Sequence, residues 1–268
     1  VAIKSSTWKN PNPYDCEPYY NLGLALKAVG CIDKAFDSFY KAVWDGNMQD
    51  KSFYQLSCIA AGYGSYNEAL GFVERSLARN MHNMKARTLK TAVLRLCGLK
   101  AEAVAFAKET VKLDALDHGS RYELFVLTGE GEDEFNQIMR GDNHNYIELA
   151  LSYIDAGLYN EADKVLALAP NTNEPMLHYY RYFCTGNSAE LNIAEKSNPL
   201  YCFPNRIEDI AVLEKAIKDG GNYAAYYLGN LFYDKGRWEE SVNLWESCID
   251  KIFLPTVHRN LSLAYYNK

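Results

Sequence analysis

Several things are scarce in this 268-residue chain, and each scarcity closes off a class of protein. Proline occurs eight times and no run approaches 18 consecutive apolar residues, which excludes a collagen-like rod and gives no transmembrane helix. Positive charge is short, with 28 Lys and Arg against 34 Asp and Glu, for a formal charge of −6. A chain of that balance carries no electrostatic footprint for phosphate backbones, so neither nucleic acid nor a membrane is an expected partner. The seven cysteines (Cys16, Cys31, Cys58, Cys97, Cys184, Cys202, Cys248) are odd in number and irregularly spaced. With no C-x-x-C pair and no His at zinc-ligand spacing, they give neither a disulfide framework nor a metal knuckle. Cys58, Cys97 and Cys248 fall in amphipathic stretches, where free Cys is expected as a small buried hydrophobe, and a reducing, cytoplasmic setting is the matching expectation. The opening Val1-Ala2-Ile3-Lys4-Ser5 lacks an initiator Met and a signal-peptide core, and reads as a cut in a longer chain.

Catalytic signatures are scarce too. The five histidines (His82, His118, His144, His178, His258) are scattered, and only Glu174 with His178 has ligand-like spacing, without a third ligand nearby. Gly129-Glu130-Gly131 is followed by acidic residues where a phosphate cradle needs Gly and Lys, so it reads as a turn. No G-x-S-x-G run occurs, and no Cys sits in a nucleophile signature. Asn260-Leu261-Ser262 fits a glycosylation acceptor but falls on an apparent helix. These readings lead us to expect no metal, no cofactor and no enzymatic activity in these residues. Hydrophobic residues at 48% and charged residues at 23% are nevertheless globular values, so a folded chain is expected.

What the chain does have is a period. Gly30, Gly64 and Gly98 recur at intervals of 34, and Ala35, Ala69 and Ala103 follow each by five residues. The pairs Leu22-Gly23, Leu56-Ser57 and Lys90-Thr91 precede them at one register, keeping a small residue in phase. Small side chains at fixed spacing let two helices approach closely, and a glycine between them ends the first at little steric cost. The register returns over 143–176 (Tyr146, Leu149, Ala150, Tyr153, Gly157, Tyr159, Ala162, Leu166, Ala169) and over 222–254 (Leu228, Gly229, Phe232, Gly236, Trp238, Ser241, Trp245). Between these, 118–142 reads as a shortened hairpin. Residues 177–221 read as an enlarged unit, in which Pro199 and Pro204 bracket the apolar loop Leu200-Tyr201-Cys202-Phe203. Residues 255–268 look like a first helix without its partner, whose Tyr265 and Tyr266 would be exposed and open to self-association.

This pattern resembles the tetratricopeptide repeat, and the first repeat matches it with Tyr19, Leu22, Gly23, Leu26, Ala35, Phe39 and Ala42. The resemblance implies an all-α fold, a right-handed superhelical solenoid of antiparallel helix hairpins. Regular repeats are expected at 16–49, 50–83, 84–117, 143–176 and 222–254, all in one solenoid over 16–268, with 1–15 as an N-terminal extension. It also implies a concave face lined by the first helix of each repeat. Carried onto this sequence, that face holds Tyr20, Lys27, Lys51, Tyr54, Lys85 and Arg95 in the N-terminal half, with Glu17, Leu24, Cys58, Thr88 and Ala92. Farther along it holds His144, Ile147, Leu151, Tyr223, Tyr226, Asn230, Tyr233, Arg259, Asn260 and Tyr266. Tyrosines and basic residues suit an extended peptide, so the expected partner is a protein or peptide, a missing N-terminal domain of the same chain included. Asn230 and Asn260 also stand where one subgroup grips a carboxylate, but Tyr226 replaces that subgroup's Lys, which argues against such a clamp.

A narrower resemblance rests on four runs. They are Tyr20-Asn21-Leu22-Gly23-Leu24-Ala25; Phe203-Pro204 leading into Ile207-Glu208-Asp209-Ile210-Ala211-Val212-Leu213; Tyr227-Leu228-Gly229-Asn230-Leu231; and Pro255-Thr256-Val257-His258-Arg259-Asn260-Leu261. These runs are similar to long bacterial proteins in which a β-rich N-terminal region precedes tetratricopeptide repeats. The likeness implies an alternative role, as a non-catalytic accessory to a carbohydrate-active enzyme whose active site lies in a β domain outside these residues.

Overall fold

The computed structural model describes residues 3, 4, 7 and 13–267, so most of the extension at 1–15 lies outside the described residues. Among the described residues the chain is all helix, in sixteen segments with no strand. Two helices fill most of each period, and the glycines explain where the first of each pair stops. Gly30, Gly64, Gly98, Gly157 and Gly236 all adopt left-handed φ between +68° and +80°, a conformation that costs other residues a Cβ clash. The pairs are α1 (Glu17–Ala28) with α2 (Ile32–Ala42), α3 (Gln49–Gly62) with α4 (Tyr66–Arg79), and α5 (Met84–Leu96) with α6 (Lys100–Leu113). Next come α7 (His118–Thr128) with the eight-residue α8 (Glu132–Met139), and α9 (Asn143–Asp155) with α10 (Tyr159–Leu166). Three helices follow, α11 (Pro175–Thr185), α12 (Ser188–Lys196) and α13 (Glu208–Lys218). A last pair, α14 (Asn222–Asp234) with α15 (Trp238–Cys248), precedes α16 (Pro255–Asn267).

Where the sequence reading has one run over 16–268, the chain divides into two compact units. The first comprises the residues up to Arg140 together with Leu151–Leu158, and the second Gly141–Ala150 with the residues from Tyr159 onward.

In both units the small residues do the same physical work. In α1, a Cβ on Gly23 would lie 2.6 Å from Cε1 of Phe39, so the ring of α2 occupies the missing side chain's place. In the second unit, a Cβ on Gly229 would lie 2.5 Å from Nε1 of Trp245. Where the small residue is Ser, its hydroxyl is spent on the neighbouring backbone: Ser57 Oγ donates to the Ala69 carbonyl at 2.8 Å, and Ser241 Oγ to the Gly229 carbonyl at 2.7 Å. The partner alanines Ala35, Ala69, Ala103 and Ala162 are fully buried. Dense interdigitation of this kind leaves no room for an extra methylene.

The three-helix unit departs from the repeat in a defined way. Between α12 and α13 the chain turns outward, with Leu200, Tyr201, Phe203 and Ile207 exposed while Cys202 and Pro204 are buried beneath them. Asp209 fixes this loop from inside: its buried carboxylate accepts the backbone N–H groups of Asn205 and Arg206, both at 2.9 Å, and the Tyr180 hydroxyl at 2.6 Å. Two sequence expectations shift. Leu22, expected in packing, stands exposed on α1, and Cys97 is only half-buried because it caps α5 with its thiol toward Asn67. Cys58 and Cys248 are buried.

Candidate functional site

Within the first unit, side chains of α1, α3, α5 and α7 meet side chains from the end of α9 in two polar clusters. Lys27 Nζ on α1 donates to Gln55 Oε1 on α3 at 2.7 Å and to Asp155 Oδ1 on α9 at 2.6 Å. The Cys58 thiol donates toward Asp155 Oδ2 at 3.6 Å, and the Tyr54 hydroxyl in turn bonds Cys58. Burial pushes the Tyr54 phenol well above its ordinary value and raises the Cys58 thiol, with the Asp155 charge adding to both. Two repeats further on, Arg95 makes a bidentate pair with Glu123 at 2.8 and 3.1 Å, and the Tyr153 hydroxyl donates to the same fully buried carboxylate at 2.6 Å. Tyr153 stacks edge-on against Tyr122.

The expected groove residues are therefore treated unequally. Tyr54 is buried, while Lys27 and Arg95 are bound to carboxylates of the chain itself. Tyr20 is half-buried with the Lys51 ammonium 5.9 Å from its ring, and both Lys51 and Lys85 reach solvent. Sequence reasoning missed Gln55, Glu123 and Asp155. The first two follow Lys27 and Arg95 by 28 residues each, so the period itself holds a signal for them. Asp155 follows Lys27 by 128 residues, and no local pattern links them.

In the second unit the expected groove positions of the last repeats fall on α14 and α16. The Asn260 amide donates to Asn230 Oδ1 at 3.0 Å, joining α16 to α14. Four residues earlier on each helix, the Tyr226 hydroxyl meets Thr256 Oγ1 at 3.0 Å, and the Tyr226 ring is buried. That placement leaves no cation beside the two amides from Tyr226, as its residue type required. Tyr223 is half-buried at the start of α14, Tyr233 lies 5.5 Å from the Trp245 ring, and Arg259 is exposed next to Asn260. The start of α14 is held by Glu195, whose carboxylate accepts the N–H groups of Asn222, Tyr223 and Ala224 at 2.8 to 3.2 Å and the Tyr179 hydroxyl at 2.6 Å. Negative charge at a helix N-terminus is stabilising, so this end is already satisfied. His144 is exposed and Ile147 fully buried.

His178, paired with Glu174 only by spacing in the sequence, instead meets Glu190 through Nδ1 and the Thr172 carbonyl through Nε2, both at 2.6 Å. Arg181 ties Glu190 to Asp163 alongside it. Among the described residues no group of three or more His, Cys, Asp or Glu side chains is placed to hold a metal ion, and no helix is long and apolar enough to cross a membrane.

Paired helices with a small residue at each crossing, a left-handed glycine between them and a 34-residue recurrence settle the architecture. The fold is that of tetratricopeptide repeats. No family profile matches the chain. A curated protein, a putative lipid kinase of Staphylococcus carnosus, is 30% identical over 113 residues, which are 42% of this chain and 33% of that protein. The chain thus spans about a third of the length of that relative. Among solved structures, YrrB, described as a tetratricopeptide protein with an unusual peptide-binding site, is 16% identical with a TM-score of 0.44, over 73% of this chain and 98% of that one. A tetratricopeptide protein of Parabacteroides merdae is 13% identical with a TM-score of 0.43, over 94% and 99% of the two chains.

Proposed function

We propose that this chain is a polypeptide-binding scaffold and that its open recognition surface is the wall built by α14 and α16. The observation that carries this reading is the Asn230–Asn260 amide pair, which is joined by a single 3.0 Å bond and is half-buried, with Tyr223 and Tyr233 on the same helix as Asn230 and the exposed Arg259 next to Asn260. A carboxamide has two donors and an acceptor with two lone pairs, so one mutual bond leaves capacity for a peptide backbone. Tyrosine offers flat contact area at low entropy cost, and Arg259 offers a charge-assisted bond to an acidic group. Lys51 and Lys85, both exposed, extend the same kind of surface in the first unit. The rival role, bracing a carbohydrate-active domain, draws no support from this geometry.

The test is affinity capture from the source organism's lysate with the unsubstituted protein and with an Asn230→Ala, Asn260→Ala, Tyr233→Ala variant as baits. Proteins retained by the first and lost by the second, at equal helix content by circular dichroism, are the expected result. Identical retention by both baits overturns the assignment of this wall.

A further inference from the structure

The N-terminal wall holds a carboxylate, and the carboxylate is the chain's own. Lys27 is held at 2.7 Å by Gln55 and at 2.6 Å by Asp155. The two halves of this ion pair differ in exposure: the Lys27 side chain is 16% exposed, the Asp155 side chain 40%. The cation is thus built into the wall while its anion reaches solvent. An ion pair with one half so open contributes little to folding. The exposed Lys51 adds a second positive charge 5.9 Å from the ring of Tyr20, which itself feels the Asp155 and Asp50 charges.

The backbone that carries Asp155 is seated as closely as two chains can sit. A Cβ on Gly157 would fall 2.7 Å from the Gly62 Cα, and one on Gly62 would fall 3.2 Å from the Ala156 carbonyl oxygen. The end of α3 and the turn after α9 therefore meet backbone to backbone through two glycines, as a ligand strand would meet a receptor wall. Tyr153, buried and bonded to Glu123, holds this segment in place beside Asp155.

We propose that the Asp155 side chain is an internal ligand of the N-terminal wall: Lys27, steadied by Gln55, forms a carboxylate site that Asp155 fills in the resting chain and that an acidic polypeptide enters by displacing that side chain. This rests on the reading of the concave faces as polypeptide-binding surfaces. A site occupied internally for most of the time binds an outside ligand more weakly by the fraction of time it stands open. Removing the Asp155 charge removes that competition and leaves Lys27 in place.

The experiment uses the whole chain and two fluorescein-labelled hexapeptides, Gly-Glu-Gly-Glu-Gly-Asp with a free carboxyl terminus and Gly-Gln-Gly-Gln-Gly-Asn with a terminal amide, read by fluorescence anisotropy. Asp155→Asn is expected to bind the acidic peptide at least about tenfold more tightly than the unsubstituted chain. Asp155→Asn with Lys27→Met is expected to lose that gain, and the neutral peptide to show none. Equal affinity of Asp155→Asn and the unsubstituted chain, or an equal gain for the neutral peptide, overturns the proposal. Should Asp155→Asn melt early, hydrogen exchange on the unsubstituted chain replaces it. Saturating acidic peptide must then accelerate exchange of the Ala156 and Gly157 amides, and unchanged exchange there counts against displacement. A chain that binds the acidic peptide in a manner abolished by Asn230→Ala and Asn260→Ala, with no gain from Asp155→Asn, sinks this inference alone. No binding of either peptide to any chain sinks both readings.

Discussion

At the scale of single residues, the absence of a side chain is as specific as its presence. Gly229 and Trp245 form one packing unit: the indole fills the volume a Cβ would take, and its N–H reaches toward the Tyr226 carbonyl at 3.3 Å. Gly229→Ala should therefore push the fully buried Trp245 off its rotamer and lower stability by about 1–3 kcal/mol, although alanine is the better helix former by about 1 kcal/mol. Urea denaturation followed by tryptophan fluorescence measures it. A stabilised variant would mean that α15 slides to accommodate the methyl. Gly71, an exposed helical glycine with nothing near its missing Cβ, is the natural control, and Gly71→Ala should stabilise instead.

At the scale of elements, the enlarged unit shows how an insertion is made rigid without regular structure. Its loop exposes four large apolar side chains, and Tyr201 adopts φ +65°, in the region L side chains disfavour. Starting four residues on, the loop is tied down by Asp209, which accepts the N–H groups of Asn205 and Arg206 and the Tyr180 hydroxyl. Asp209→Ala should leave the buried Tyr180 hydroxyl without its acceptor, at a cost of about 1–3 kcal/mol. It should also raise hydrogen exchange from Cys202 to Arg206 while leaving α1 to α6 unchanged. A global rise in exchange would show that the loop and the helices unfold together. The same Tyr180 phenol is pushed up by burial and then by the Asp209 charge, so both readouts report one contact.

At the scale of the whole molecule, tyrosine couples folding to alkaline pH. Burial holds the phenols of Tyr54, Tyr153 and Tyr179 well above their ordinary values, and Tyr182 is pushed up to about 12, chiefly because its hydroxyl donates to Asp219. An acid whose pKa is raised by folding adds stability that is fully present below the unfolded value, about 10 for tyrosine, and lost as pH rises through the folded value. Stability should hence fall from about pH 10 upward. The buried phenols should ionise together with the loss of far-ultraviolet ellipticity, not before it. Titration of tyrosinate absorbance alongside circular dichroism checks this, and ionisation of all the phenols with helicity intact would contradict it.

The sequence determined by itself the hairpins, the glycines that end their first helices and their close crossings. All of these follow from a local rule, that small residues and chain-reversing glycines recur in phase, and a local rule is visible in one dimension. It also carried Asn230 and Asn260 to a common wall, since neighbouring repeats place residues one period apart side by side. What only the tertiary structure decided is which of those groove residues are still available. Lys27 and Arg95 read in the sequence as free cations, but a carboxylate 128 residues away claims the first and a fully buried Glu123 the second. No periodicity encodes the first of these pairings. It depends on where the end of α9 comes to lie, and that is set by the summed packing of the hairpins before it.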